Sequence, residues 1–117
     1  MPYDKQIEEK IEKIARAWKK IEKKKMFGGI CYLIHGNMCF GIYKEYLIVR
    51  TGVEAAEKKL KEKNVRPFDI TGKALKGWVM VGEKGWKRQG DLEHWLRLGK
   101  EYALTLPKKE ERVQDQS

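Results

Sequence analysis

The residues best suited to chemistry fall in two stretches, Lys23–Tyr43 and Thr71–Gly90. In the first, Met26-Phe27-Gly28-Gly29 follows a run of lysines, the composition of a loop that cradles phosphate. Such a loop joins a strand to the N-terminus of a helix, whose free N–H groups bind the anion. Here helical periodicity precedes the glycines, strand-forming residues follow them, and no Gly-Lys-Ser/Thr is present. We therefore read Gly28-Gly29 as the end of a helix and a sharp turn into a sheet, with one glycine at positive φ. Nucleophilic catalysis would pair Cys31 with His35 or His94. Cys31 lies in a strand pattern beside Leu33, where a buried thiol is inert packing. His35 falls at a turn, and His94 sits one helical step off an apolar stripe. Cys31 and Cys39 cannot make a four-ligand metal site by themselves. No catalytic residue, cofactor or metal site is expected, and the chain reads as a protein that is not an enzyme.

The second stretch, "TGKALKGWVMVGEKGWKRQG", interleaves Lys73, Lys76, Lys84, Lys87 and Arg88 with Trp78 and Trp86. Basic groups neutralise phosphates and an exposed tryptophan stacks on an unpaired base. Trp78 alternates with Val79 and reads as core. Of the two rings Trp86, in the glycine-flanked loop from Gly85 to Gly90, is the better candidate for exposure. Lys73, Lys76, Lys84, Trp86, Lys87 and Arg88 are thus the candidate nucleic-acid-binding residues. The competing reading is a solvated loop with Trp86 folded onto the last helix, and no groove-reading helix or recognised nucleic-acid motif supports the first.

The whole composition points the same way. The net charge is +9 and hydrophobic residues make up 41%, enough for a core. Residues 1–26 carry nine basic groups against five acidic, residues 27–105 fourteen against nine, and residues 106–117 three of each. The excess belongs to the folded part and favours an acidic partner. The N-terminus is charged, without an apolar targeting segment, and no apolar run approaches a membrane span. A soluble, cytoplasmic protein that uses no membrane and no small-molecule substrate is expected.

The elements that must position these residues follow from periodicity. Ile7, Ile11, Ile14, Trp18 and Ile21 form one helical stripe, with Asp4 as its cap. Ile30–Ile34, Met38–Tyr43 and Tyr46–Arg50 read as a three-stranded meander turning at Gly36 and at Lys44-Glu45. Thr51-Gly52-Val53-Glu54 matches a capping box, with Val53, Ala56 and Leu60 facing inward and Asn64 and Pro67 ending the helix. Phe68–Ile70 and Trp78–Val81 are two further strands. A last helix starts near Asp91, with Leu92, Trp95, Leu96, Gly99, Tyr102, Ala103 and Leu106 as its apolar stripe, and Pro107 ends it. The order α-β-β-β-α-β-β-α gives an α+β, two-layer sandwich with an antiparallel sheet of about five strands. Residues 1–107 form one domain, and residues 108–117 a disordered tail.

Regular pairing through the meander divides its side chains between two apolar faces. One holds Cys31, Leu33, Met38, Phe40, Ile42, Leu47 and Val49. The other holds Ile30, Tyr32, Ile34, Cys39, Tyr43, Tyr46, Ile48 and Arg50. Helices cover only one face of a two-layer fold, so Tyr32, Tyr43, Tyr46 and Ile48 are candidates for a partner surface. A protein partner, a second copy, or the chain's own segment 71–77 could cover it. Cys31 and Cys39 then point to opposite faces and stay free thiols.

Several of these pieces together resemble a known family. "MFGG" at Met26–Gly29, the turn Gly36 followed by Met38, "VRTG" at Val49–Gly52, "PFDITGKALKGWVMV" at Pro67–Val81, Leu92 with Trp95, and Leu106-Pro107 are similar to the N-terminal domain of the TfoX/Sxy competence regulators. The resemblance spans about Met26 to Lys108. It implies an α/β sandwich with an antiparallel sheet, no cofactor, and a regulatory role in place of catalysis. In that family's full-length regulators a second, helical domain follows, and the pair helps transcribe competence genes alongside the cyclic-AMP receptor protein. This chain corresponds to the first domain, expected to stand alone and to act through protein–protein contact, with direct sequence-nonspecific nucleic-acid binding as the alternative.

Overall fold

Asp4 begins the first helix as expected: its carboxylate accepts the backbone N–H of Gln6, one of the donors a helix start leaves unpaired. In a computed structural model that describes residues 3–18, 20–26, 28–70 and 72–108, this helix, α1, runs Lys5–Ala15 and buries Ile7, Ile11 and Ala15. Phe27, Thr71 and all of the expected tail beyond Lys108 lie outside the described residues. The apolar stripe expected to continue through Ile14 and Trp18 to Ile21 does not stay helical. The chain breaks after Ala15, and Ile21–Met26 forms a strand, β1. It pairs antiparallel with β2, Gly29–Ile34. Met26-to-Gly29 is therefore a hairpin and not a helix end. Gly28 does take a positive φ, 76°, in that turn.

The meander follows. β2 returns through His35-Gly36, both at positive φ, into β3, Asn37–Tyr43. β4, Tyr46–Arg50, pairs with β3 in the expected register, Tyr43 opposite Tyr46 and Phe40 opposite Val49. A seven-residue helix α2, Val53–Lys59, comes next. Its capping box is not made: the Thr51 hydroxyl donates to the carbonyls of Gly52 (2.9 Å) and Gly77 (3.4 Å). Gly52 at φ 90° stands at the N-cap without a side chain to offer. Ala56 is buried, but Val53 and Leu60 are exposed, against expectation. β5 is Val65–Pro67, a few residues before the strand expected at Phe68–Ile70, and β6 is Trp78–Val81 as read from sequence. A short helix α3, Glu83–Trp86, precedes α4, Gln89–Leu104.

The sheet is antiparallel, six strands in the order β1-β2-β3-β4-β6-β5. The fold is α+β, with one more strand than expected. All four helices contribute to a single core with the sheet face that carries Ile30, Phe40, Ile42, Leu47, Val49, Val79 and Val81. Burying side chains such as Phe40, Leu47 and Leu96 completely stabilises by about 1.5–3 kcal/mol each. The opposite face builds a separate cluster around Ile48, Phe68 and Met80, to which no helix among the described residues contributes.

Candidate functional site

The face without helices owes its side chains to a bulge. Near the turn, Ile34 pairs with Asn37 and Leu33 with Met38. Beyond it Tyr32 pairs with Phe40, so Cys39 is an extra residue on β3. The Cys39 thiol donates to the Tyr32 carbonyl at 3.3 Å. A bulge reverses which residues face which way beyond it. The two faces inferred from strict alternation are therefore corrected. Ile30, Tyr32 and Ile34 join Phe40 and Ile42 beneath the helices, whereas Cys31, Leu33 and Met38 join Tyr43, Tyr46, Ile48 and Arg50 on the open side.

This changes the candidate partner surface. Tyr32 is buried under α1, and its hydroxyl donates to Glu12 at 2.9 Å. Burial, then that bond, raises its pKa. Ile48 is on the open side but buried in a cluster with Phe68 and its cross-strand neighbour Met80. Tyr43 and Tyr46 remain there, half-buried. The segment between β5 and β6 lies over part of this face: Phe68 stacks tilted on Trp78 at 5.6 Å, and Ile70 packs beside them. What stays open is a groove of about 310 Å³, with Leu33, Met38, Tyr43, Arg50, Leu75 and Trp78 among its walls. Leu75 is 43% exposed. Gly41 stands in the cross-strand row Cys31–Gly41–Ile48–Met80, with the Met38 side chain over it. Alternation in the sequence is enough to put Tyr43, Tyr46 and Arg50 together; it has no means of finding Leu33, Met38 or Leu75, because the bulge and the fold-back of a loop decide them.

In the basic stretch the structure follows the competing reading, a solvated surface with Trp86 folded inward. Trp86 has no exposed surface. It lies in α3, and its indole N–H donates to the Glu45 carbonyl at 3.3 Å, pinning α3 to the β3–β4 turn. An exposed stacking ring is thus corrected to a core anchor, because one turn of helix at Glu83–Trp86 turns the ring inward. Lys73, Lys76, Lys84, Lys87 and Arg88 are exposed, but they do not converge. Lys73 and Lys76 precede β6, and Lys84, Lys87 and Arg88 follow it, so the strand holds the two groups at its opposite ends.

The thiols are free and both buried. Burial raises the Cys31 pKa and pushes that of Cys39 up to about 12. Cys31 and Cys39 still point to different faces, but the bulge exchanges which: Cys39 joins the helix-covered core, while Cys31 borders the groove. His35 sits in the β2–β3 turn, and His94 contacts Lys59 at 3.2 Å on the exposed side of α4.

With hairpin, meander and closing helix in place, the comparison with protein families is decisive. The TfoX N-terminal domain model matches residues 12–103. The chain belongs to the TfoX N-terminal domain family. Comparison with curated proteins and with solved structures finds no match. The family is one of regulatory domains and not a known class of enzyme. The match takes in β1 and the whole sheet, so the lysine-rich strand is part of the TfoX N-terminal fold and no appendage to it. Among the described residues, no helix is long and apolar enough to cross a membrane.

Proposed function

We propose that this TfoX N-terminal domain is a non-enzymatic, cytoplasmic regulatory module of the competence-regulator kind, acting by protein–protein contact through the helix-free face of its sheet. The observation that carries this is the groove itself: half-buried Leu33, Met38, Tyr43 and Trp78 with exposed Leu75 form a concave apolar patch on one side of an otherwise charged molecule. Such a patch on a soluble domain marks a contact surface. The thiols support a role without catalysis, since raised pKa values keep them protonated and unreactive.

The test is capture of a partner by the immobilised protein from nuclease-treated extract. Retention by the natural sequence and loss by Leu33→Asp and by Leu75→Asp is expected. Capture abolished by nuclease, or left intact by both substitutions, overturns the reading. Nuclease sensitivity would move the role to direct nucleic-acid binding.

A further inference from the structure

Arg50 lines the groove, and two further cations rest on aromatic rings of the same side of the sheet. The Arg50 guanidinium lies 5.3 Å from the centre of the Trp78 ring and 5.7 Å from that of Tyr102. Lys44 lies over Tyr43 at 5.4 Å, and Arg66 over Tyr46 at 5.8 Å. Arg66 also donates to the Tyr46 hydroxyl at 3.2 Å. Cross-strand pairing explains the first: Arg50 stands opposite Trp78 on neighbouring strands. Among the described residues none of these three cations is in an ion pair; on the helix-covered side Lys23 is paired with Glu8 and Glu12, Lys59 with Glu62, and Arg97 with Glu93, while Lys100 rests on Trp18 without a pair. The segment over the face adds Lys73 and Lys76 on either side of Leu75. The carboxylates nearest in the chain, Glu45 and Asp69, are exposed and in no ion pair among the described residues.

A cation resting on an aromatic ring is positioned without spending its hydrogen-bond donors, and a guanidinium so held keeps its fork for a carboxylate. The space beside it is apolar, about 310 Å³, at the lower end of ligand-binding clefts, the scale of an anchoring side chain. Resting on the contact reading above, we propose that the groove receives a segment of a partner protein in which a large apolar side chain is flanked by Asp or Glu. The apolar side chain fills the space between Met38 and Leu75, and the flanking carboxylates meet Arg50 and the lysines beside Leu75. A single strand of nucleic acid would offer the same negative charge, but it also needs bare ring faces for its bases. Here Trp78 already has Arg50 and Phe68 against it, and Tyr43 and Tyr46 each carry a cation.

The test is selection of random short peptides displayed on phage against the immobilised, folded protein, followed by titration of a selected, end-blocked synthetic peptide. Enrichment of acidic peptides with an aromatic or branched aliphatic residue between carboxylates is expected. Their affinity should fall about tenfold in Arg50→Gln, the size of one lost charge-assisted hydrogen bond. It should be lost in Leu75→Asp and be unchanged in Lys13→Gln, which lies on α1 across the sheet. Circular dichroism and melting of each variant separate lost binding from lost folding. Neutral or basic peptides that Leu75→Asp nevertheless abolishes overturn the acidic partner while leaving the contact face standing. Acidic peptides indifferent to both Arg50→Gln and Leu75→Asp, or no enrichment at all, overturn the groove as their site. Oligothymidine binding that Arg50→Gln removes overturns the proposal in favour of nucleic acid.

Discussion

Tyr32, Glu12 and Lys23 show how one residue's change of face rearranges its neighbours. Once the bulge at Cys39 turns Tyr32 toward α1, its hydroxyl needs a partner, because a buried unpaired hydroxyl is costly. Glu12 supplies it, and also accepts from Lys23 Nζ at 2.9 Å. The Lys23 bond is the leading reason that the Glu12 carboxyl lies below its usual range, with burial opposing. For Lys23, burial is the largest single influence and lowers the pKa, but the bonds to Glu8 and Glu12 together outweigh it and raise the value. The two ends of the pair therefore lose stability at opposite extremes of pH. Glu12, depressed in the fold, contributes fully above its ordinary value of 4.5 and loses that contribution as pH falls through the folded value. Lys23, raised in the fold, contributes fully below 10.5 and loses it as pH rises through its folded value. Urea unfolding across pH should show a plateau between these limits. In Glu12→Gln the acid limb should flatten. An acid limb as steep in the variant as in the natural protein would show that other carboxylates carry it.

At the level of elements, two glycines separate strain from crowding. Gly99, in the middle of α4, touches the bulge: a Cβ there would meet the Cys39 carbonyl oxygen at 2.4 Å. The extra residue on β3 pushes backbone toward the helix, and only a residue without a side chain lets α4 lie against it. Gly28 is the reverse case, at φ 76° with nothing within 4 Å of a Cβ. Gly99→Ala should cost about 1–3 kcal/mol through overpacking. Gly28→Val should cost a similar amount through conformation alone, and Gly28→Asn much less, because asparagine tolerates left-handed backbone. Thermal melting of the three variants checks this; equal losses for Val and Asn at position 28 would mean that the site is limited by space. The same elements show what the sequence carries openly. α4, β6 and the pairing of β3 with β4 were legible because their apolar residues keep strict periods and nothing interrupts them. β1 was not, because an edge strand protects itself with lysines, and Ile21 happens to continue the helical spacing of Ile7, Ile11 and Ile14. The bulge was illegible for a deeper reason. Alternation assigns faces only if every residue is paired, and Cys39 beside Phe40 looks like any other strand pair. Trp86 was misplaced because a single turn of helix between glycines has too few residues to show a period.

Across the whole molecule, the consequence of β6 is that a basic run continuous in sequence becomes two separate patches. Gly77 and Gly82 bracket the strand, and five residues of extended chain put them roughly 17 Å apart. That is about twice the screening length at physiological salt, so Lys73 and Lys76 act at one end and Lys84, Lys87 and Arg88 at the other as independent charges. A protein of net charge +9 is expected to bind duplex DNA at low salt without sequence preference. Changing Lys73 and Lys76 to Gln should reduce the slope of log affinity against log salt by up to about 1.8, and changing Lys84, Lys87 and Arg88 by up to about 2.7, at about 0.9 for each phosphate no longer neutralised. Because the patches are separate, the free-energy losses should add when all five are changed. Binding of an acidic peptide in the groove should respond only to the first pair, which flanks Leu75, and not to the three residues beyond β6. Fluorescence anisotropy with a labelled duplex and a labelled acidic peptide measures both in the same variants. A loss on DNA far larger than the sum would mean that one bound duplex spans both ends of β6, restoring the basic run as a single nucleic-acid surface. Equal weakening of the peptide by both sets would mean that it is held by net charge and not by the groove.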